Sequence, residues 1–285
     1  MSAVDSALDA GDKAKQQANA GRGWYAALAR TGLVARGLSF GLVGVLAAKL
    51  AFGDGGAATS RQGALAQLSH HSFGKAALIA LALGFTAYAL WRFVEALVER
   101  GDGDNAAKTW GKRVDYVGRG LTYAGLTYTT LKILAGAGQQ QSQNQQAHKS
   151  AAMVLDWPAG RFLVGAAGLA VIGVGCWNLY RGLARKFEDA WRVGRLSHTM
   201  RTWGGRAGVL GHVARFVVFG LIGVFLVKAA IDYRPKDAIG LDGALQKLVH
   251  ASYGPWLLGL TAAGLIAYGI YGLVDARLRD VSANT

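Results

Sequence analysis

Of 285 residues, 52% are hydrophobic and 17% are charged, against about 25% charged in soluble domains, which excludes an ordinary soluble fold. A formal charge of +14 would suit a nucleic-acid binder, but the basic residues cluster in short segments between long apolar runs, a pattern that encodes membrane topology instead. The single cysteine, Cys176, leaves no disulfide framework and no cysteine-based metal site within one chain.

Residues 1–23 are polar and lack an apolar core, so no cleavable signal peptide is expected. The segment reads as either a short interfacial helix or a frayed tail. Trp24, an aromatic suited to the headgroup level, opens a first unit over 24–109. Its apolar runs predict spans over 28–52 and 74–98, joined by a polar loop and a short amphipathic turn of helix (GALAQLSHH). A second unit, 110–202, opens at Trp110 with spans over 114–136 and 160–184. The tract QQQSQNQQAHK between them reads as a flexible solvent loop. A third unit, 203–285, opens at Trp203 with spans over 207–231 and 254–277.

The three units are copies of one another. Each first span carries the same frame, Arg36 to Lys49, Arg119 to Lys132 and Arg215 to Lys228, with twelve mostly apolar residues between the charges. On a helix the charges are about 19.5 Å apart along the axis and about 140° apart around it. Long basic side chains reach several ångströms further, which fits a cation toward each face of a hydrocarbon core roughly 30 Å thick. The second spans align Gly84 with Gly173 and Gly264, and Tyr88 with Trp177 and Tyr268. One turn later come Trp91, Tyr180 and Tyr271. Between spans, residues 63–74 and 243–254 match at seven of twelve positions, whereas the second unit keeps only a remnant at 155–160. The expected architecture is therefore all-α: a polytopic transmembrane bundle of six spans in three tandem helical-hairpin repeats, arranged with pseudo-threefold symmetry.

Orientation follows from the basic residues. The N-terminal segment, 92–113, 181–206 and the C-terminus hold 18 of the 31, the opposite face seven, and the three frames six. Both termini are then expected in the cytoplasm, with the symmetry axis along the membrane normal.

Ala35-Arg36-Gly37, Gly118-Arg119-Gly120 and Ala214-Arg215-Phe216, together with the GALxxLxHxSxG segments, resemble the DUF1206 family of bacterial inner-membrane proteins. The third copy departs in carrying Phe216 where the others have glycine. The resemblance covers residues 28–280. It implies a six-helix membrane domain in three repeats and, since the family's function is unknown, no catalytic residues.

Arg36, Arg119 and Arg215 are the candidate anion- or lipid-binding residues. They either ring a pathway on the cytoplasmic side or snorkel to the headgroups. Lys49, Lys132 and Lys228 read as outer-interface anchors. Glu95 and Asp275 occupy equivalent positions, where the second repeat has Ala184. Each would pair with a repeat arginine or locally, with Arg92 or Arg279. Asp115 stands four residues before Arg119, the spacing of a helical ion pair. His70, His71 and His250 lack partners at ligand spacing, so no metal is expected, and no motif points to a cofactor or to catalysis. The expected protein is a non-enzymatic multi-pass scaffold, or a partner- or lipid-binding subunit, of the bacterial inner membrane. Its expected partners are the bilayer, anionic headgroups and another membrane protein, not nucleic acid. The alternative is a small-solute or anion channel or transporter lined by the repeat arginines. Arginines converging inside the bundle favour the second reading, and arginines fanning toward headgroups favour the first.

Overall fold

The computed structural model describes the backbone of residues 3–53, 61–69, 72–99, 106–136, 142–191 and 198–279. Side chains are described for the same residues except 3–22, 61–63, 67, 107, 108, 190, 198 and 200. Among the described residues the fold is helical, with no strand. Each unit is a long helix, a short helix and a second long helix. They are α1 (Ala3–Ala51), α2 (Arg61–Ser69) and α3 (Gly74–Val98); α4 (Ala106–Leu134), α5 (Gln143–Leu155) and α6 (Gly160–Leu183); and α7 (His198–Ile231), α8 (Leu241–Val249) and α9 (Gly254–Leu278). Five stretches are long and apolar enough to cross a bilayer: Gly23–Ala51, Gly74–Val98, Gly160–Leu183, Arg201–Ile231 and Gly254–Leu278. This is a multi-pass membrane protein.

Three expectations need correcting. The N-terminal segment is not separate from the first span: α1 runs unbroken from Ala3. The glutamine-rich tract is not a loop beyond residue 142. Ser142 accepts a hydrogen bond from the Gln145 backbone while the Gln145 side chain accepts from the Ser142 backbone, a reciprocal cap that starts α5. Ala151 and Leu155 then anchor that helix by burial. Helix α4 is the one long helix that falls short on apolarity, because Tyr128, Thr129 and Thr130 stand where the first repeat has Val45, Leu46 and Ala47 and the third has Val224, Phe225 and Leu226. His70 and His71 lie outside the described residues.

One device recurs in all three units. The first residue of each second long helix is glycine, pressed against the end of the short helix before it. A Cβ on Gly74 would lie 1.9 Å from the Leu68 carbonyl oxygen, on Gly160 1.9 Å from that of Val154, and on Gly254 2.0 Å from that of Val249. No side chain fits there, which explains why this glycine stands in the second repeat, where the rest of the segment has diverged.

The long helices pack in the order α4, α3, α1, α9, α7, α6. The contacts between successive units, α3 with α4, α6 with α7 and α9 with α1, are all extensive. Within units, α1 packs on α3 and α7 on α9, but α4 and α6 form no comparable pair. The two closed hairpins lock through small residues. A Cβ on Gly84 would come 2.4 Å from the Ala35 Cβ, and one on Gly264 2.5 Å from the Ala214 Cβ. One turn away, a Cβ on Gly32 would lie 2.6 Å from Tyr88 Cα, and one on Gly211 2.7 Å from Tyr268 Cα. Backbones at this separation gain dispersion contacts that lipid tails do not match. In the second unit the equivalents of the first lock, Gly118 and Gly173, meet nothing within 4 Å. The equivalents of the second are Asp115 and Trp177, which cannot bring two backbones together.

Candidate functional site

The arginine of the first repeat does not reach for the membrane surface. Arg36 is buried, and one terminal nitrogen donates to the Tyr88 hydroxyl at 3.2 Å while the other donates to the Tyr268 hydroxyl at 3.0 Å. The latter nitrogen is also 4.0 Å from the Asp275 carboxylate. Its Nε is buried with no acceptor among the described residues. Arg215 of the third repeat donates to the same Tyr268 hydroxyl, at 2.5 Å. Its guanidinium lies over the rings of Tyr268, Phe219 and Phe40, 4.8, 5.1 and 5.5 Å from their centroids. Arg215 makes no ion pair with any described residue, and its Nε is also buried and unsatisfied. One phenol oxygen thus holds two guanidiniums with both lone pairs, which leaves the Tyr268 hydroxyl proton as a further donor.

Arg119 of the second repeat is less enclosed. It forms the expected pair with Asp115, at 2.8 and 2.9 Å through two of its nitrogens. Two of the three repeat arginines are therefore directly bridged, while the third is paired within its own helix, one turn from the Tyr123 ring that packs on Tyr88.

The acids are fewer and are shared. Glu95 is taken locally by Arg92, whose guanidinium lies 4.1 Å from the Trp91 ring centroid. Asp275 is fully buried and has three neighbours: Arg279 at 3.3 Å, the Trp191 indole N–H at 3.2 Å, and Arg36 at 4.0 Å. Arg181 is the repeat equivalent of Arg92, and Ala184 replaces the acid that would pair with it. Arg181 has no carboxylate partner among the described residues, and the neighbouring Gly182 packs against His212. Arg36, Arg92, Arg119, Arg181, Arg215 and Arg279 are thus six permanent cations set against Glu95, Asp115 and Asp275. Charge in a low-dielectric interior is costly unless neutralised, so the arrangement is chemically suited to holding an anion.

The sequence alone did not expose the tyrosines. Tyr88 and Tyr268 were visible as aligned positions, but nothing in their spacing said that their hydroxyls face the arginines. Trp191 and Phe187 were equally hidden. The segment after α6 folds back under the bundle, where Trp191 bridges to Arg279 and Phe187 stacks on His212 with ring centroids 5.1 Å apart. At the other end of the spans, Lys228 is paired with Asp232 at 3.0 Å and Asp237 at 2.9 Å, while Lys132 lies 5.4 Å from the Tyr128 ring centroid. His250 caps locally through the Gln246 carbonyl.

The DUF1206 family, a domain of unknown function, matches this chain three times, over residues 31–99, 114–185 and 210–279. The chain belongs to that family. Each match begins near a repeat arginine and ends just past the second long helix of a unit. The DUF1206 repeats also match an uncharacterized protein, YxxB, of Bacillus subtilis strain 168. It is 30% identical over 251 residues, covering 88% of this chain and 90% of the relative. No solved structure matches.

Proposed function

We propose that this DUF1206 protein is a non-enzymatic, six-span subunit of the bacterial cytoplasmic membrane whose arginine cluster binds an anion. The observation that carries the reading is the pair Arg36 and Arg215 on one tyrosine hydroxyl, inside the bundle, with no carboxylate for Arg215 among the described residues. A phosphate or carboxylate group between such cations would accept charge-assisted hydrogen bonds from the idle Nε–H groups. Counting α4 as the sixth span is supported by its threonines. Thr122, Thr127 and Thr130 donate to carbonyls one turn back at 2.8, 3.0 and 2.7 Å, so these hydroxyls need no water. With α4 included, the six long helices ring a pseudo-threefold axis with one interface open. The basic connecting segments support cytoplasmic termini.

Convergence of the arginines favours a second reading, passage of a small anion through the same cluster. Thermal unfolding of the purified chain, followed by tryptophan fluorescence, tests the primary reading. Phosphatidylglycerol or inorganic phosphate is expected to raise the midpoint of the native chain and not that of Arg215→Gln. A midpoint unmoved by both would refute anion binding. Anion flux into proteoliposomes that Arg215→Gln abolishes would establish passage.

A further inference from the structure

The second repeat differs from its neighbours in a way that bears on which anion reaches the cluster. Where the first and third hairpins close on Gly84 and Gly264, the second is open at Gly118 and Gly173. Its aromatic positions follow: Tyr88 and Tyr268 are 0% and 2% exposed, but Trp177 is 57% exposed. A cation stands on each of the two helices that flank this opening. Arg119 stands on α4 beside Gly118, and Arg181 on α6 beside Gly182, which packs against His212; the His212 ring lies 5.4 Å from that of Tyr268, on which Arg36 and Arg215 meet. Arg181 has no carboxylate partner among the described residues, and Ala184 replaces the acid that neutralises its equivalent, Arg92. Arg119 is already paired with Asp115, so Arg181 is the cation here without a carboxylate among the described residues, and a cation beside an unpacked interface is unfavourable unless a counter-charge joins it.

We propose that the open side between α4 and α6 is a lateral mouth for an anionic phospholipid. Its headgroup phosphate lies between Arg119 and Arg181, and its acyl chains stay in the bilayer along the exposed apolar face of α6. The inference rests on the anion-binding reading and names the source of the anion. Charge complementarity selects the occupant, since a lipid offers a phosphate at headgroup depth and tails for a face that presents Leu169, Val174 and Trp177 to the bilayer. Arg181 lies in the last turn of α6, one turn from Trp177, on the side assigned here to the cytoplasmic headgroups. The buried Nε groups of Arg36 and Arg215 lie further in and extend the donor set beyond the mouth.

The test purifies the full chain in mild detergent and counts bound phospholipid by native mass spectrometry. Native protein, Arg119→Gln and Ala184→Glu are then compared for affinity to phosphatidylglycerol, phosphatidylcholine and inorganic phosphate. Ala184→Glu keeps every arginine and returns the missing acid at the i,i+3 spacing of the Arg92–Glu95 pair. We expect phosphatidylglycerol to stay bound to the native chain, and its affinity to fall about fivefold or more in each variant. Phosphatidylcholine should not discriminate among them. Unfolding midpoints in phosphatidylcholine micelles within a few degrees of native would confirm that both variants fold. Equal phosphatidylglycerol affinity in all three proteins would overturn the mouth. Inorganic phosphate binding as well as phosphatidylglycerol would leave the anion site standing and remove the lipid. Binding of neither would remove the anion reading itself. A native chain that is dimeric in detergent and becomes monomeric as Trp177→Ala would give the face to a second copy.

Discussion

The second hairpin and its two neighbours start from the same unit and end in different states. In the first and third, glycine meets alanine across the hairpin and a second glycine rests on a tyrosine backbone. In the second, the first lock has glycine on both sides yet stays apart, and the second lock holds Asp115 and Trp177 instead. The two locks are not equivalent, and the difference teaches which one decides. Glycine on both sides of the first lock does not close a hairpin whose second lock carries a carboxylate and an indole in place of glycine and tyrosine. A site open on one side follows from two substitutions in a threefold repeat.

The comparison can be broken most severely at Asp275. Asp275→Ala would leave Arg279 and Arg36 without their shared buried carboxylate and is expected to cost about 3–5 kcal/mol in detergent–denaturant unfolding. Ala184→Glu in the second repeat should cost little in the same assay. A similar loss in both would mean that the repeats are not electrostatically distinct. Next is Tyr268→Phe, which removes the hydroxyl shared by Arg36 and Arg215. Hydrogen bonds to charged groups are worth about 1.5–3 kcal/mol, so a loss in that range is expected, against almost none for Trp177→Phe. The glycine locks give a direct contrast. Gly84→Ala and Gly264→Ala should each cost about 1–3 kcal/mol by overpacking, while Gly173→Ala, facing open space, should fall within about 0.5 kcal/mol of native. Equal costs at all three would close the second hairpin.

The smallest effect separates the outer ends of the repeats. Lys228 beside Asp237 holds that carboxyl below its ordinary range. A depressed carboxyl contributes stability above its unfolded value, and the contribution is lost as pH falls through the folded value. The unfolding midpoint of the native chain should therefore drop more steeply at acid pH than that of Asp237→Asn. Lys49 and Lys132, which have no carboxylate partner among the described residues, should show no such dependence when changed to Gln.

Much of this architecture was legible from the sequence because repeats constrain it three times over. The Arg/Lys frames set the first helices, the aligned glycines and aromatics set the second, and the start of α3 at Gly74 falls where expected. The Gln/Asn tract reads as a loop by composition, whereas one cap at Ser142 and two buried residues, Ala151 and Leu155, make a helix of it from Gln143. The arginines were the larger gap. Thirteen-residue spacing is as compatible with snorkelling as with burial, and the choice depends on a tyrosine in another repeat. Nothing local to Arg36 announces Tyr268. The exposed state of the second hairpin was foreshadowed at Ala184 and Trp177, but only the missing packing of α4 against α6 gave those departures meaning.

The pairing of α1 with α9 also sets a schedule. Arg36 depends on a hydroxyl 232 residues further along the chain. At roughly 5–20 residues per second, translation reaches that partner roughly 10–50 s after Arg36 leaves the ribosome. During that interval the first span is in the bilayer with a cation whose final neighbours do not yet exist, held only by Tyr88 of its own hairpin. The Arg36 site is therefore complete only once α9 has been made, and a chain stopped before α9 would leave Arg36 without Tyr268 and Asp275.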